Sequence, residues 1–434
     1  MLNSSGSARR TPQLAVECLE DRTVPTFLTK PGLTALQTAQ NGGQSIAIGN
    51  VIPEAGFGTA GVFQANEYVT GTGPGRESLV RISNLNGTLL GQFVPYAGFT
   101  GGVNVAVGDV TGDSNLEIIV SAASSLNANI PQVRVFSNAG VLLSQFNVFS
   151  TGYQGGISIA VGNVLGGVGS GGFGGGNNTS FKSEIIAGAS LGNAPHVVVA
   201  DAAGNIFRSF FAFDNYLGGV TLAASSVDST RTAGSSGGGG GGGFFGGFFG
   251  GFFGGGGGTR VPDTNSYAEI IVGAATNVPH VKVFEAWQAG SGLAVGPAGV
   301  VERLSYYAFD PSLGRGITVA AGSTDGSRGA EVYAGLIGAT PAGGTLIRAF
   351  NGETSGILAE FTAVPPAYSR VVNMAVGNVV AYDPGDDDVT GFGNNGNPFF
   401  NTQDLAVVAG DGPFEQVPRQ FFGVFGSAAG RNGP

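Results

Sequence analysis

The stretch "VNVAVGDVTGDSNLEIIVSA" (103–122) decides the fold. It opens with a six-residue run that is apolar on alternate and adjacent positions, breaks at a Gly-Asp turn, and resumes with a second apolar run. Both runs are too short for a buried helix, and their Val and Ile content suits strands covered on both faces. Working outward, the same opening recurs as "QSIAIGNV" (44–51), "ISIAVGNV" (157–164), "VTLAASSV" (220–227), "ITVAAGST" (317–324) and "VNMAVGNV" (372–379). The shared alanines are Ala47, Ala106, Ala160, Ala223, Ala320 and Ala375.

A second strand follows each opening: "NEYVTG" (66–71), "LEIIVSA" (116–122), "SEIIAGA" (183–189), "AEIIVGA" (268–274), "AEVYAGL" (330–336) and "DLAVVAG" (404–410). A third begins beside a proline in "PQVRVF" (131–136), "PHVVVA" (195–200) and "PHVKVF" (279–284). A fourth carries aromatics ahead of a Gly-rich corner, as in "IFRSFFAFDNYLGG" (206–219). Four short strands in about 50 residues, repeated around the chain, is the arithmetic of an all-β β-propeller. The reading is six four-stranded blades at 44–102, 103–156, 157–219, 220–316, 317–371 and 372–434. The last repeat offers only three strands, so "VPTFLTK" (24–30) is expected to supply the outer strand that closes the ring. Seven blades is the alternative count, if residues 27–43 hide a degenerate copy. Residues 27–434 then form one propeller domain, preceded by a segment 1–26 and interrupted by a Gly/Phe-rich insertion at 231–263.

Composition narrows the function classes. The 434 residues include 80 glycines, 42% are hydrophobic and 11% charged, and the formal net charge is −10. No Lys/Arg cluster is present to track phosphates, so nucleic acid is excluded as a partner. Cys18 is the sole cysteine, which leaves neither an internal disulfide framework nor a thiolate metal site. No apolar run reaches the roughly 18 residues of a membrane-spanning helix.

The repeats resemble the FG-GAP family, the blades of integrin α-subunit heads and of many bacterial surface proteins. "VAVGDVTGDSNLEIIVSA" (105–122) carries the likeness, supported by "GASLGNAPHVVV" (188–199) and "GAATNVPHVKV" (273–283). The resemblance implies a calcium loop between the first two strands of a blade. Its positions here are Asp109, Thr111, Asp113, Asn115 and Glu117, with Thr111 where the family has Asp or Asn, and Ser114 in place of its glycine. A sparser version comprises Ser323, Asp325, Ser327 and Glu331. Calcium is thus the expected cofactor, held by six to eight oxygens. The alternative is that these residues are turn formers. "LAVECLEDRTVPT" (14–26) resembles the short motif at the start of planctomycete extracellular proteins, through Leu14, Glu17, Leu19, Glu20, Arg22 and Pro25. That resemblance implies an extracellular or cell-surface location.

Other motifs fall away. "GSSGG" (234–238) fits G-x-S-x-G within a glycine tract and not on a strand-to-helix elbow. "GFGNNG" (391–396) fits G-x-G-x-x-G without a following helix. His196 and His280 are the only histidines, and both follow the proline that opens strand three, which speaks for repeat ancestry. The expected function is a non-enzymatic binding or adhesion module for a surface protein or polysaccharide. A propeller hydrolase or lyase with a site at the central channel, and a self-associating structural protein, are the alternatives. "GGGFFGGFFGGFFGGGGG" (241–258) lies between strands one and two of the fourth repeat. Similar Gly/Phe loops occupy the same place at 53–63, 166–176 and 391–400. Phe244, Phe245, Phe248, Phe249, Phe252 and Phe253 are the candidate contact residues of a shared aromatic rim.

Overall fold

The computed structural model describes residues 28–29, 44–52, 66–84, 87–113, 115–124, 130–165, 182–190, 192–227, 268–286, 299–324, 329–338, 344–362, 372–377, 404–409 and 419–422. The first strand, β1 (Leu28–Thr29), stands apart from those that follow it. Next come β2 (Gln44–Gly49), β3 (Glu67–Thr72), β4 (Val80–Ser83) and β5 (Leu89–Phe93), which pair in that order as one antiparallel sheet. The pattern repeats in β6 (Val103–Gly108), β7 (Glu117–Ala122), β8 (Gln132–Phe136) and β9 (Leu142–Asn147). The third blade is β10 (Ile157–Gly162), β11 (Glu184–Ala189), β12 (His196–Ala200) and β13 (Ile206–Phe211). The fourth is β14 (Val220–Ser225), β15 (Glu269–Ala274), β16 (His280–Glu285) and β17 (Val301–Tyr307), and the fifth β18 (Ile317–Gly322), β19 (Glu331–Leu336), β20 (Leu346–Asn351) and β21 (Ile357–Thr362). The fold is a β-propeller.

The expected count of six four-stranded blades closed by an N-terminal strand, or of seven, needs correction. Five blades are whole, each made of four consecutive strands with a full outer strand. The remaining sheet is composite: β22 (Val372–Gly377), β23 (Asp404–Ala409) and β24 (Arg419–Phe422), with β1 on its outer edge. Leu28 pairs with Phe422 and Thr29 with Phe421, so the stretch expected to close the ring does meet the last strand, through two residues only. The cores follow the same division. Five buried clusters each fill the seam between neighbouring sheets, from the first two blades through to the fifth blade and the composite sheet. No seventh sheet exists among the described residues.

Burial peaks at the second strand of each blade and falls from there outward. The second strand of each whole blade is buried along its entire length, as in "EIIVSA" of β7, while the third alternates and the fourth is mostly exposed. A fully buried Ile or Val contributes about 1.5–3 kcal/mol, which makes the second strands the main apolar reserve of each blade. Strands three and four of every whole blade share a register shift at the same place, for example between Val135 and Phe136 and between Val283 and Phe284. Such bulges raise the local twist and make an edge a poorer template for pairing.

Two sequence details make the blades fit. The glycine ending strand one sits against the next inner strand: a Cβ on Gly108 would lie 2.3 Å from Val161 Cγ1. The polar residue at the second position of strand one bridges the seam. Ser45 Oγ donates to the Val103 carbonyl (2.7 Å), Asn104 Nδ2 to Ile157 (2.8 Å), Thr221 Oγ1 to Ile317 (3.0 Å) and Thr318 Oγ1 to Val372 (2.9 Å).

Candidate functional site

The six inner strands, including β22, surround a channel enclosing about 100 Å³. Three residues from each line it, from Ile46–Ala47–Ile48 to Met374–Ala375–Val376, and every one is aliphatic or methionine. A general acid or base requires an ionisable side chain within reach of substrate, and this lining provides none. All six inner strands run the same way along the axis, so their C-terminal ends collect at one mouth. The segments joining strands one and two therefore leave from that mouth. They include the positions of the insertions at 53–63, 166–176, 231–263 and 391–400. Phe244, Phe245, Phe248, Phe249, Phe252 and Phe253 lie outside the described residues, as does the 14–26 motif with Cys18.

In each of the five whole blades a buried carboxylate holds the root of this segment. Glu117 opens β7, and its Oε2 accepts from the backbone N–H groups of Val110 (2.9 Å) and Thr111 (3.1 Å), while Thr111 Oγ1 donates to Oε1 (3.2 Å). Glu67 accepts from Val51 (2.8 Å) and Ile52 (3.3 Å), and Glu184 from Val164 (2.9 Å) and Leu165 (3.2 Å). Glu269 accepts from Val227 (2.9 Å), and Glu331 from the amide (2.6 Å) and hydroxyl (2.9 Å) of Thr324. All five side chains are buried. The same turns tie blade to blade: Ser183 N–H donates to the Asp109 carbonyl, Ala268 to Asn163, and Ala330 to Ser226. Desolvation raises the Glu184 carboxyl to about 7, against the opposing pull of its amide donors and Lys182. Burial also raises Glu117, with Asp109 and Asp113 adding repulsion and the Val110 and Thr111 amides opposing the shift.

This arrangement bears directly on the expected calcium loop. Asp109 Oδ1 accepts from Gly112 N–H (2.6 Å) and Asp113 Oδ1 from Asn115 N–H (2.9 Å). Glu117 has both oxygens committed to the turn. Among the described residues no three His, Cys, Asp or Glu side chains gather closely enough to hold a metal ion. The donors as placed do not fit a calcium ion, which needs several oxygens turned to one centre. Of the sparser set, Ser323 and Glu331 are buried at the equivalent turn, while Asp325 and Ser327 lie outside the described residues. What sequence reasoning missed was the recurring glutamate itself. It stands at the second place of "NEYVTG", "LEIIVSA", "SEIIAGA", "AEIIVGA" and "AEVYAGL", and that recurrence in an otherwise apolar strand was the available signal.

The histidines occupy equivalent seats. His196 Nε2 meets Ser209 Oγ at 2.8 Å, and His280 Nε2 meets Ser305 Oγ at 2.8 Å. Burial lowers the pKa of both rings, favouring neutral imidazole. No helix among the described residues is long and apolar enough to cross a membrane.

No protein-family model matches the chain, and no curated protein is detectably similar to it in sequence. Among solved structures, BBS1N in complex with ARL6DN aligns over 92% of this chain and 97% of that one, at 10% identity and a TM-score of 0.41. The exotype rhamnogalacturonan lyase YesX aligns over 88% of this chain and 63% of its own length, at 13% identity and a TM-score of 0.36. This chain thus spans less than two thirds of that lyase. The Dos1 propeller aligns over 82% of this chain and 75% of its own, at 13% identity and a TM-score of 0.36. None of these likenesses carries a function to this chain.

Proposed function

We propose that the chain is an extracellular or cell-surface binding module that meets its partners at the channel mouth where the strand-one-to-strand-two segments leave the ring. The observation that carries this reading is the convergence of the inner-strand ends at one mouth. Five buried glutamates brace that mouth. The segments are rooted in buried, hydrogen-bonded turns, and loops on such a scaffold vary with little cost to the core. The side chains lining the channel are aliphatic or methionine, which supports a binding reading. The resemblances to FG-GAP blades and to the N-terminal export motif support the surface location. The test replaces residues 231–263 by a short Gly-Ser turn, singly and together with a similar shortening at 166–176. Attachment of protein-coated beads to the producing cells is then measured. A partial loss from the first change and a larger loss from both is expected. Unchanged attachment by the double variant would remove this face from the function.

A further inference from the structure

We propose that the third and fourth blades carry a matched pair of sites for a neutral glycan, on the face opposite the insertions. The proposal rests on the binding-module reading and names a ligand class for it. His196 opens β12 and pairs across the sheet with Phe211, the last residue of β13, and His280 pairs likewise with Tyr307. Each imidazole is flanked by two rings. His196 lies 5.0 Å from Phe211 and 5.4 Å from Phe149, and His280 lies 4.7 Å from Tyr307 and 5.2 Å from Phe213, centre to centre. The serine partners described above hold both imidazoles in the same orientation.

The outer ring of each set faces solvent, Phe211 at 61% and Tyr307 at 53% exposure. The fold does not require aromatics there. At the same register the second blade pairs Gln132 with Asn147, and the fifth pairs Leu346 with Thr362. Two adjacent blades depart from their sisters in the same way, placing a large apolar ring in water next to a polar imidazole edge. A pyranose has matching chemistry, with a C–H face to lie on the ring and hydroxyls to meet imidazole and serine. Charge argues for a neutral sugar. The chain carries a formal net charge of −10, and Lys282 beside His280 is already paired with Glu302 at 2.7 Å. Two like sites one blade apart suit a repeating polymer, because the second contact forms at high effective concentration.

The experiment is affinity electrophoresis of the full chain in gels containing a soluble neutral β-glucan, a galactomannan or polygalacturonate. Retardation by at least one neutral polymer and none by polygalacturonate is expected. Phe211→Asn and Tyr307→Thr introduce residues that sister blades already carry. Each should weaken retardation, and the pair should lower the apparent affinity by about tenfold or more with the melting curve unchanged. Phe211→Tyr with Tyr307→Phe keeps both rings, and should keep retardation even if the first pair impairs folding. No retardation in either neutral gel, equal retardation by polygalacturonate, or loss of retardation in the ring-preserving pair overturns the proposal. Shortening 231–263 should leave retardation intact, so a failure here is distinct from a failure of the insertion-face reading.

Discussion

Replacing Glu184 by Gln tests the role assigned to the carboxylates at the channel mouth. In the folded chain burial raises this carboxyl from 4.5 to about 7. That displacement corresponds to roughly 3 kcal/mol, at about 1.4 kcal/mol per pKa unit. The direction follows from proton uptake. A carboxyl whose folded pKa is raised contributes stability that is fully present below its unfolded value and is lost as pH rises through the folded value. Wild type should therefore lose about 3 kcal/mol from this group between about pH 4.5 and about pH 8. Gln cannot ionise, yet its amide oxygen can still accept from Val164 and Leu165. Urea unfolding of both proteins across that range isolates the effect, because Glu117 and the other glutamates are common to both. The free-energy gap between wild type and Glu184→Gln should move by about 3 kcal/mol in favour of the variant as pH rises. Parallel curves would refute the assignment of a desolvated, titrating carboxylate to this turn.

Gly108→Val should destabilise the seam between the second and third blades by about 1–3 kcal/mol, since the added atoms collide with Val161; the thermal midpoint reports it. Thr318→Val should cost about 1–3 kcal/mol in urea unfolding, because the buried Val372 carbonyl loses the hydroxyl that bridges from the fifth blade. Arg134→Met should weaken the seam between the first two blades, as its guanidinium donates to the Pro95 carbonyl and lies 4.4 Å from the centre of the Tyr96 ring. Its loss should lower the thermal midpoint, and an unchanged midpoint would count against that contact. Excess chelator should leave the melting curve unmoved; a fall restored by calcium would show that the Asp109–Glu117 turn rearranges to take the ion.

Much of the architecture was legible because the physics is local. The apolar second strands, the Gly-terminated inner strands and the proline-led third strands announce themselves within a few residues. Leu28–Thr29 could be anticipated only by noting that the last repeat lacked a strand, and its two-residue length could not, since pairing length depends on the partner strand. The turn around Asp109 was harder. A carboxylate six or seven residues from its partners can face a metal or fold back onto backbone amides, and the sequence is the same in both cases. Here Glu117 is buried and accepts from the Val110 and Thr111 amides, and burial is a property of the assembled seam. Likewise the polar residue in "SIAIG" or "TVAAG" shows its use only when the neighbouring blade supplies a carbonyl.

The composite sheet also sets an order of events. Its outer strand precedes every other strand and its partner follows them all, so this sheet cannot be completed on the ribosome until Arg419–Phe422 has emerged. Until then the outer edge of β23 waits for its partner strand. Bringing the ends together costs loop-closure entropy that grows only slowly with length, and the waiting edges invite pairing with another chain. A truncation that removes only Arg419–Phe422 would leave every whole blade intact in sequence. It would nonetheless leave β22 and β23 to hold the seam with β2 without the strand pair that ties the first strand to the last.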